Sequence, residues 1–351
     1  MNARLVLLPG DGVGQEVTSA ARLVLQRVAE VFRHSFDFRT HLIGGAALRA
    51  TGVPLPDETV AASLDADGIL LGAVGHPDFD SHAPHQRPEA ALLQIRQQLG
   101  LYANLRPARV WKGLEAAGPL KPEVLANTDV LVVRELTGGL YYGEPRGLSP
   151  EGDSAWNTMR YSRAEVTRIA RVAFDAAKSR RRHVTSVDKA NVLETSRLWR
   201  AVVNTVGSDY PDVRVDHMYV DSCAMRLALA PASFDVVLTE NLFGDILSDE
   251  AGAVVGSLGL LPSASLGDKT GLFEPVHGSA PDIAGLNAAN PIGAILSGAM
   301  LLRYALKLET EAGAVEAAVE RTIAGGHRTR DIGGTASCSD MAKAIAERIQ
   351  M

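Results

Sequence analysis

Apolar runs of strand length alternate with stretches of helical periodicity along the whole chain. Residues 4–8 and 67–73 are short, nearly continuous apolar runs, which predict buried strands. Residues 163–179 and 183–187 repeat the pattern as an amphipathic helix followed by a strand. This alternation is typical of an α/β protein with a largely parallel sheet. The first helix is predicted from apolar residues recurring every three or four positions, at Val17, Ala20, Ala21, Val24, Val28 and Val31.

Residues 234–249 carry the clearest chemical signal. A β-branched run over residues 234–239 predicts a strand, residues 240–244 predict a polar turn, and a helix is predicted to open at Asp245. Asp249 lies four residues on, so both carboxylates share one helix face. They could complement the helix dipole, or they could hold Mg²⁺ or Mn²⁺, which favour carboxylate oxygens. Asp221, at the end of a predicted strand, supplies a third acid where ligands collect in open sheets.

Composition narrows the class of protein. The chain has 351 residues, 46% of them apolar, which is enough for two domains or one large one. Its formal net charge of −6 argues against a nucleic-acid binder, which would present a basic face. No apolar run is long enough to cross a bilayer, and the N-terminus is typical of a strand rather than a signal peptide. Cys223 and Cys338 have no metal-type spacing, so we expect unpaired thiols in a reducing cytoplasm.

The turn after the first strand does not match a dinucleotide-binding fingerprint. Gly10 and Gly12 fit that motif, but Gln15 occupies its third glycine position. Glycine-rich turns at strand-to-helix junctions often serve only tight geometry. The turn therefore gives weak support to a Rossmann fold. Two other segments are rich in small residues: residues 137–147 are predicted to form a short ribbon with turns, and residues 258–267 a loop.

Four basic residues lie near the ends of predicted elements. Arg96, Arg106 and Arg134 would each, singly, be ordinary surface residues. Three of them near acids suit a small polyanion, because a guanidinium pairs with a carboxylate through two hydrogen bonds. Lys189 follows the strand at residues 183–187 and is a candidate base if its charge is suppressed.

Five segments together resemble the β-decarboxylating dehydrogenase family, which includes the isocitrate and isopropylmalate dehydrogenases. The resemblance implies a two-domain α/β fold with a central sheet flanked by helices, unlike a Rossmann fold. The first domain would take residues 1–100 and 256–351, and residues 101–255 would form the second, with dimerisation helices and an arm around residues 139–161. The segments are residues 103–108, 133–139, 186–192, 241–249 and 277–285.

The same resemblance implies an activity, which is NAD-dependent oxidative decarboxylation of 3-isopropylmalate to 4-methyl-2-oxopentanoate and CO₂ in leucine biosynthesis. Lys189 would be the base, with Asp221 either relaying its proton or tuning it, and Tyr141 would be the acid that protonates carbon. Mg²⁺ or Mn²⁺, with K⁺ as an optional addition, would be the cation held by Asp221, Asp245 and Asp249. Family members are homodimers with shared active sites, so Lys189 would come from the partner subunit.

A small dicarboxylate substrate follows from the resemblance as well. Arg96, Arg106 and Arg134 match the family's carboxylate clamp. The pocket for the isopropyl group would be lined by Glu89, Leu92, Leu93 and Val192. Homoisocitrate, tartrate and malate remain alternative substrates, because a few residues do not fix a pocket's specificity.

The choice of NAD over NADP rests on Asp282, which would bind ribose hydroxyls and repel a phosphate. Glu240 adds a negative charge near the nicotinamide end, and it could either tune the cofactor or face solvent. The remaining residues that match the family's cofactor site are Asn241, Glu274, His277, Gly278, Ser279, Ala280, Pro281, Ile283 and Asn290.

Two alternative functions belong to other classes of protein. A metal-dependent lyase without redox chemistry would keep the acids and arginines but would not need the segment at residues 277–290. A non-catalytic binding protein on an inherited fold would be expected to lose Lys189 or Tyr141, and both are present.

Overall fold

The structure is a computed structural model that describes residues 1–351. The chain divides into two compact units. Unit 1 comprises residues 1–101, 111–117 and 256–351, and unit 2 comprises residues 102–110 and 118–255. Each unit contains strands of a mixed sheet with helices packed on them, which confirms the predicted α/β class.

Unit 1 has five strands in the order β2-β1-β3-β12-β11. Strand β1 pairs in parallel with β2 and with β3, and β3 pairs in parallel with β12. Strand β11 pairs antiparallel with β12. The strands are β1 (Asn2–Gly10), β2 (Ser35–Thr40), β3 (Gly68–Ala73), β11 (Pro262–Leu266) and β12 (Gly271–Pro275). The helices are α1 (Gly14–Phe32), α2 (Gly44–Thr51), α3 (Asp57–Leu64), α4 (Pro88–Gln98), α10 (Ile292–Met300), α11 (Glu309–Ala324) and α12 (Cys338–Glu347).

The core of unit 1 follows from the apolar periodicity. The predicted face of α1 is buried from Val17 to Val28, and every residue of α10 is buried. On the other side of the strands, Ile95 of α4 belongs to a cluster with Leu8, Ile69 and Leu272. Burying one such aliphatic side chain contributes about 1.5–3 kcal/mol, so this packing fixes the helices that carry candidate site residues.

Unit 2 also has five main strands, in the order β4-β5-β10-β8-β9. Only β4 is antiparallel to its neighbour. The strands are β4 (Ala103–Arg109), β5 (Asp129–Glu135), β8 (His183–Asp188), β9 (Arg214–Tyr219), β10 (Val236–Thr239) and a separate ribbon of β6 (Gly147–Leu148) and β7 (Ala155–Trp156). The helices are α5 (Pro122–Leu125), α6 (Arg163–Lys178), α7 (Glu194–Gly207), α8 (Val220–Leu229) and α9 (Asn241–Val255).

Strand register in unit 2 brings the predicted chemical residues to one edge. Arg134 of β5 lies beside Thr239, the last residue of β10. Asp188 of β8 lies beside Tyr219 of β9, so the residues that follow both strands emerge together. The carboxyl ends of parallel strands meet at one edge, which is where ligands bind in open α/β sheets.

Three segments differ from their predictions. Helix α9 opens at Asn241 rather than Asp245, because the Glu240 carboxylate accepts hydrogen bonds from the backbone N–H groups of Leu242 and Phe243. Residues 258–267, predicted as a loop of small residues, contain strand β11, whose partner β12 lies beyond a short turn. Within residues 137–147, predicted as a short ribbon with turns, Gly139–Tyr141 form a 3₁₀ turn and the ribbon of β6 and β7 begins only at Gly147.

None of the helices combines the length and the apolar composition that crossing a bilayer requires.

Candidate active site

Arg134 organises the amino-terminal part of α9. It is buried at the end of β5, and its Nε and Nη2 donate to Asn241 Oδ1 at 3.0 and 2.8 Å. Its Nη1 forms a short ion pair with Asp245. The guanidinium therefore balances the charge of Asp245, the first of the two α9 carboxylates. Its Nε and Nη2 bind the first residue of the helix, Asn241.

Arg106 of β4 pairs in the same way with Asp249, the second of the two α9 carboxylates. Its Nη1 donates to Asp249 Oδ1 at 3.0 Å and to Ser248 Oγ at 2.8 Å. Its Nε donates to Asn104 Oδ1 at 2.8 Å, and its Nη2 lies 3.8 Å from Asp245. Two arginines thus offset the repulsion between two like charges on one helix face.

Tyr141 joins this cluster from the 3₁₀ turn. Its hydroxyl donates to Asp245 Oδ2 at 2.8 Å, and the Arg134 guanidinium lies 5.7 Å from its ring centroid. Burial, followed by the hydrogen bond to Asp245, raises the pKa of Tyr141 to about 12. The phenol is therefore protonated at neutral pH and can donate.

Lys189 and Asp221 form a separate pair. Lys189 follows β8 and its Nζ forms a short salt bridge with Asp221 Oδ1 in the first turn of α8. The hydrogen bond from Lys189 holds the pKa of the Asp221 carboxyl below its ordinary value. The Tyr219 ring lies 5.8 Å from Lys189 Nζ, and Lys189 N donates to Ser196 Oγ. The predicted base and its predicted partner are thus in direct contact.

The predicted cation would have oxygen donors of the right chemistry on α9. Asp245 and Asp249 present carboxylates one turn apart, already balanced by arginines. Asp221, the third predicted ligand, pairs with Lys189 instead, and no group of three His, Cys, Asp or Glu side chains in the chain is arranged to hold a metal ion. One chain therefore offers two of the three predicted ligands together.

In unit 1, the predicted substrate and cofactor residues Arg96 and Glu274 contact each other. Arg96 Nη2 donates to Glu274 Oε1 at 2.7 Å, and both side chains are largely buried. The Arg96 Nε is buried and has no partner. A buried donor without a partner is costly, which suits a group held ready for a carboxylate ligand.

The predicted nucleotide segment of unit 1 follows β12. His277 Nδ1 contacts Gly278 O at 3.0 Å, whereas its buried Nε2 has no partner. Burial lowers the pKa of His277, so the ring is neutral. Around Gly278, a Cβ would meet no atom within 4 Å. The open backbone at Gly278 lets a nucleotide approach closely, and the unpartnered Nε2 of His277 is available to bind it.

The glycine turn after β1 supports this segment rather than forming a phosphate cradle. Ser279 O accepts a hydrogen bond from Val13 N at 2.8 Å, and a Cβ on Gly12 would lie 1.9 Å from Ser279 O. The Asp11 carboxylate accepts backbone N–H groups of Gly45 at 2.8 Å and Gly75 at 3.0 Å. The turn is thus a structural support, in agreement with the weak fingerprint.

Some of the remaining predicted cofactor residues use their side chains in hydrogen bonds within the protein, and others are exposed to solvent. Asn290 donates to Asp331 at 2.9 Å and accepts from Ile292 N, so its amide stabilises the start of α10. Asn241 is likewise occupied by Arg134 and Gly138. The exposed or half-exposed residues of the segment are Ala280, Pro281, Asp282 and Ile283, and Ala280 has a left-handed φ of 38°.

The predicted substrate-pocket residues separate into packed and exposed side chains. Leu92 packs against the apolar cluster of α4, whereas Leu93 is 48% exposed. Glu89 Oε1 would lie 2.9 Å from a Cβ on Gly75, so it borders the loop after β3. Val192, in unit 2, is 62% exposed. Leu93 and Val192 are therefore free to contact a substrate, and Leu92 is largely a packing residue.

Comparison with known proteins shows the family to which the chain belongs. The family model for isocitrate/isopropylmalate dehydrogenase matches residues 4–345. The chain belongs to the isocitrate/isopropylmalate dehydrogenase family. It is 56% identical to the 3-isopropylmalate dehydrogenase of Shouchella clausii, over 95% of this chain and 92% of that one. It is 55% identical to that of Bacillus subtilis, over 100% and 97%. The crystal structure of isocitrate dehydrogenase from Methylococcus capsulatus is similar, with a TM-score of 0.89, 35% identity, and coverage of 99% of this chain and 100% of that one.

Sequence reasoning missed two buried residues in this member of the isocitrate/isopropylmalate dehydrogenase family. Tyr161 donates from its hydroxyl to Glu240 at 3.2 Å and accepts from Asn241 N at 2.9 Å. Glu135 is fully buried and accepts from Gly138 N at 2.7 Å. Neither position carries a local signal, because each matters only through residues distant in sequence.

Proposed function

We propose that the chain is an NAD-dependent 3-isopropylmalate dehydrogenase, which oxidatively decarboxylates 3-isopropylmalate in leucine biosynthesis. The observation that carries the proposal is the cluster of Arg106, Arg134 and Tyr141 around Asp245. Curated relatives of that name, more than half identical over nearly the full length, support the substrate.

The reaction needs a base for the first step. Lys189 takes the hydroxyl proton of the substrate, and NAD, when bound, would supply the acceptor for the hydride from carbon 2. The contact between Lys189 and Asp221 supports this role, because the carboxylate can orient the amine. Arg106 and Arg134 bind the substrate carboxylates while keeping their contacts to α9.

A divalent cation, Mg²⁺ or Mn²⁺, is the second requirement. Asp245 and Asp249 would hold it, and Asp221 would complete the set. When bound, it supplies Lewis-acid stabilisation of negative charge on the substrate oxygen. The two arginines beside these carboxylates support an anionic ligand at the same place.

Tyr141 acts in the last step. Loss of the 3-carboxylate as CO₂ leaves an enolate, whose carbon must be protonated. The Tyr141 hydroxyl, aimed at Asp245 and protonated at neutral pH, supports its assignment as that acid.

NAD is the proposed cofactor. The unpartnered His277 Nε2 and the open backbone at Gly278 support nucleotide binding in unit 1. Asp282 is exposed, and its negative charge favours ribose hydroxyls over the phosphate of NADP. A monovalent cation such as K⁺ is an optional further ligand.

The enzyme is proposed to act as a cytoplasmic homodimer with shared sites. Large apolar side chains are exposed on unit 2, at Leu148, Trp156, Met225, Leu229 and Ile246. Exposed apolar surface of this kind supports an interface. Because Lys189 and Asp221 contact each other, a partner subunit that supplies one supplies both.

One assay tests the proposed function. NADH absorbance is followed after mixing the protein with NAD⁺, Mn²⁺ and 3-isopropylmalate, beside isocitrate, homoisocitrate, malate and tartrate. We expect the highest kcat/KM with 3-isopropylmalate. A higher value with another substrate would reassign the substrate, and turnover without NADH would favour a lyase.

A further inference from the structure

Glu240 is a buried carboxylate at the start of α9. It is 4% exposed, so it does not face solvent. Its Oε1 accepts from Phe243 N at 2.7 Å and its Oε2 from Leu242 N at 3.1 Å. A negative charge at this position also complements the helix dipole. These contacts alone would make Glu240 a helix cap.

A second set of contacts joins Glu240 to the turn that carries Tyr141. Tyr161 Oη donates to Glu240 Oε2 at 3.2 Å, and its ring lies against the backbone of the turn. A Cβ on Gly138 would lie 2.5 Å from the Tyr161 ring. A Cβ on Gly139, whose φ is 75°, would lie 2.6 Å from Tyr161 Oη and 3.1 Å from Glu240 Oε2. The turn therefore rests directly on the Tyr161–Glu240 pair.

The same turn is held from two other sides. Asn241 Nδ2 donates to Gly138 O at 3.2 Å, and Glu135 Oε2 accepts from Gly138 N at 2.7 Å. Gly139 N donates to Arg160 O at 3.1 Å. Tyr161 and Glu240 together link the turn to α9, because Tyr161 Oη accepts from Asn241 N at 2.9 Å and Glu240 caps the helix.

We propose that Glu240 is a positioning residue that holds the turn carrying Tyr141 in register with the α9 carboxylates. Its side chain is buried, and it acts through Tyr161 and the backbone of Gly139. The inference rests on the proposed function, in which Tyr141 is the acid for carbon.

Two variants of Glu240 separate positioning from capping. Glu240→Ala removes both the cap and the contact to Tyr161. Glu240→Gln keeps an acceptor for the helix N–H groups, and its amide N–H₂ can donate to Tyr161 Oη. Tyr161→Phe removes the link to Glu240 and leaves the cap. Ser337→Ala is the matched control, since it removes the cap of α12 in unit 1.

Hydrogen exchange of the peptide covering residues 137–143, in the intact protein without substrate, is the first measurement. We expect faster exchange in Glu240→Ala and Tyr161→Phe, and exchange close to that of the wild type in Glu240→Gln and Ser337→Ala. Ser337→Ala should lower Tm without affecting this peptide. Faster exchange in Ser337→Ala, or unchanged exchange in both Glu240→Ala and Tyr161→Phe, would overturn the inference.

Steady-state kinetics and CO₂ release are the second measurement. We expect kcat to fall roughly tenfold in Glu240→Ala, the scale of one lost hydrogen bond to a charged group, with KM changed far less. NADH formation should be impaired less than CO₂ release, and Glu240→Gln should restore most of kcat. An unchanged kcat in Glu240→Ala beside an impaired Tyr141→Phe would overturn the inference. A fully active Tyr141→Phe would instead overturn the proposed acid, while the exchange data would still test the support of the turn.

Discussion

The candidate residues of unit 2 and those of unit 1 are held in different ways. In unit 2, Arg134, Asp245 and Tyr141 are joined by ion pairs and hydrogen bonds from three elements. In unit 1, the segment after β12 leaves His277 Nε2 without a partner and Asp282 exposed. Preorganised polar groups suit charge that develops during a reaction, whereas open backbone and free donors suit the binding of a ligand. We therefore expect substitutions in unit 2 to affect turnover and substitutions in unit 1 to affect preference between ligands.

The largest effect is expected for Asp245→Asn in unit 2. The variant loses the negative charge for the cation and one of the two oxygens that accept from Arg134 and Tyr141, so Mn²⁺ affinity should fall and kcat should fall roughly a thousandfold. Calorimetry with Mn²⁺ and initial rates measure both. Asp268→Asn, at an exposed position of unit 1, is the control. Unchanged metal affinity and rate would remove Asp245 from the site.

Tyr141→Phe should have the next largest effect. It keeps the ring beside Arg134 and removes only the hydroxyl, so folding should survive. We expect overall turnover to fall about 100-fold, the usual contribution of a general acid. Oxidation should be less impaired, which rapid-mixing NADH formation compared with CO₂ release and solvent-proton incorporation would reveal. An equal loss in both steps would mean that Tyr141 acts earlier or only holds the substrate.

Asp282→Lys in unit 1 should alter the choice of cofactor with little change in maximal turnover. Replacing a repelling charge by an attracting one should shift the ratio of kcat/KM for NADP⁺ and NAD⁺ roughly 100-fold. Initial rates with each cofactor give the ratio. A wild-type enzyme that uses both cofactors equally well would contradict the role of Asp282.

Leu93→Ser should have the smallest effect. The side chain is exposed, so stability should hold, and 3-isopropylmalate should lose about 1 kcal/mol of transition-state binding, the scale of one apolar group in a pocket. Malate, which lacks the isopropyl group, should lose less. Leu92→Ser is the contrast, because Leu92 is partly buried against the apolar core and its loss should lower Tm. Equal losses on both substrates would make Leu93 structural.

The periodicity of the chain predicted the fold class and several elements, among them β1, β3, α1, α6, β8 and β10, because strands and helices bury faces that recur every two or every 3.6 residues. It failed at the start of α9, where a buried carboxylate rather than an apolar repeat decides the boundary. It also failed at β11, whose small residues form a strand only because β12 pairs with them.

The motifs predicted which residues form the candidate site, but they could not predict how those residues contact one another. The ion pairs of Arg106 and Arg134 with α9 join positions more than a hundred residues apart. The role of Tyr161, and the burial of Glu240, likewise depend on packing between elements distant in sequence. Such contacts leave no local pattern for sequence reasoning to detect.

Within unit 2, Lys189 and Asp221 form one pair of candidate catalytic residues, and Asp245 and Asp249 form another. In the proposed homodimer, each active site combines the first pair from one chain with the second pair from its partner. Mixed dimers of Lys189→Ala and Asp245→Asn test this directly. Each variant alone should be nearly inactive. Mixing and reassembly should restore about a quarter of the wild-type activity, since half the dimers are hybrid and each hybrid has one intact site in a two-fold symmetric dimer. No recovery above the separate variants, in dimers shown to exchange subunits, would contradict a shared site.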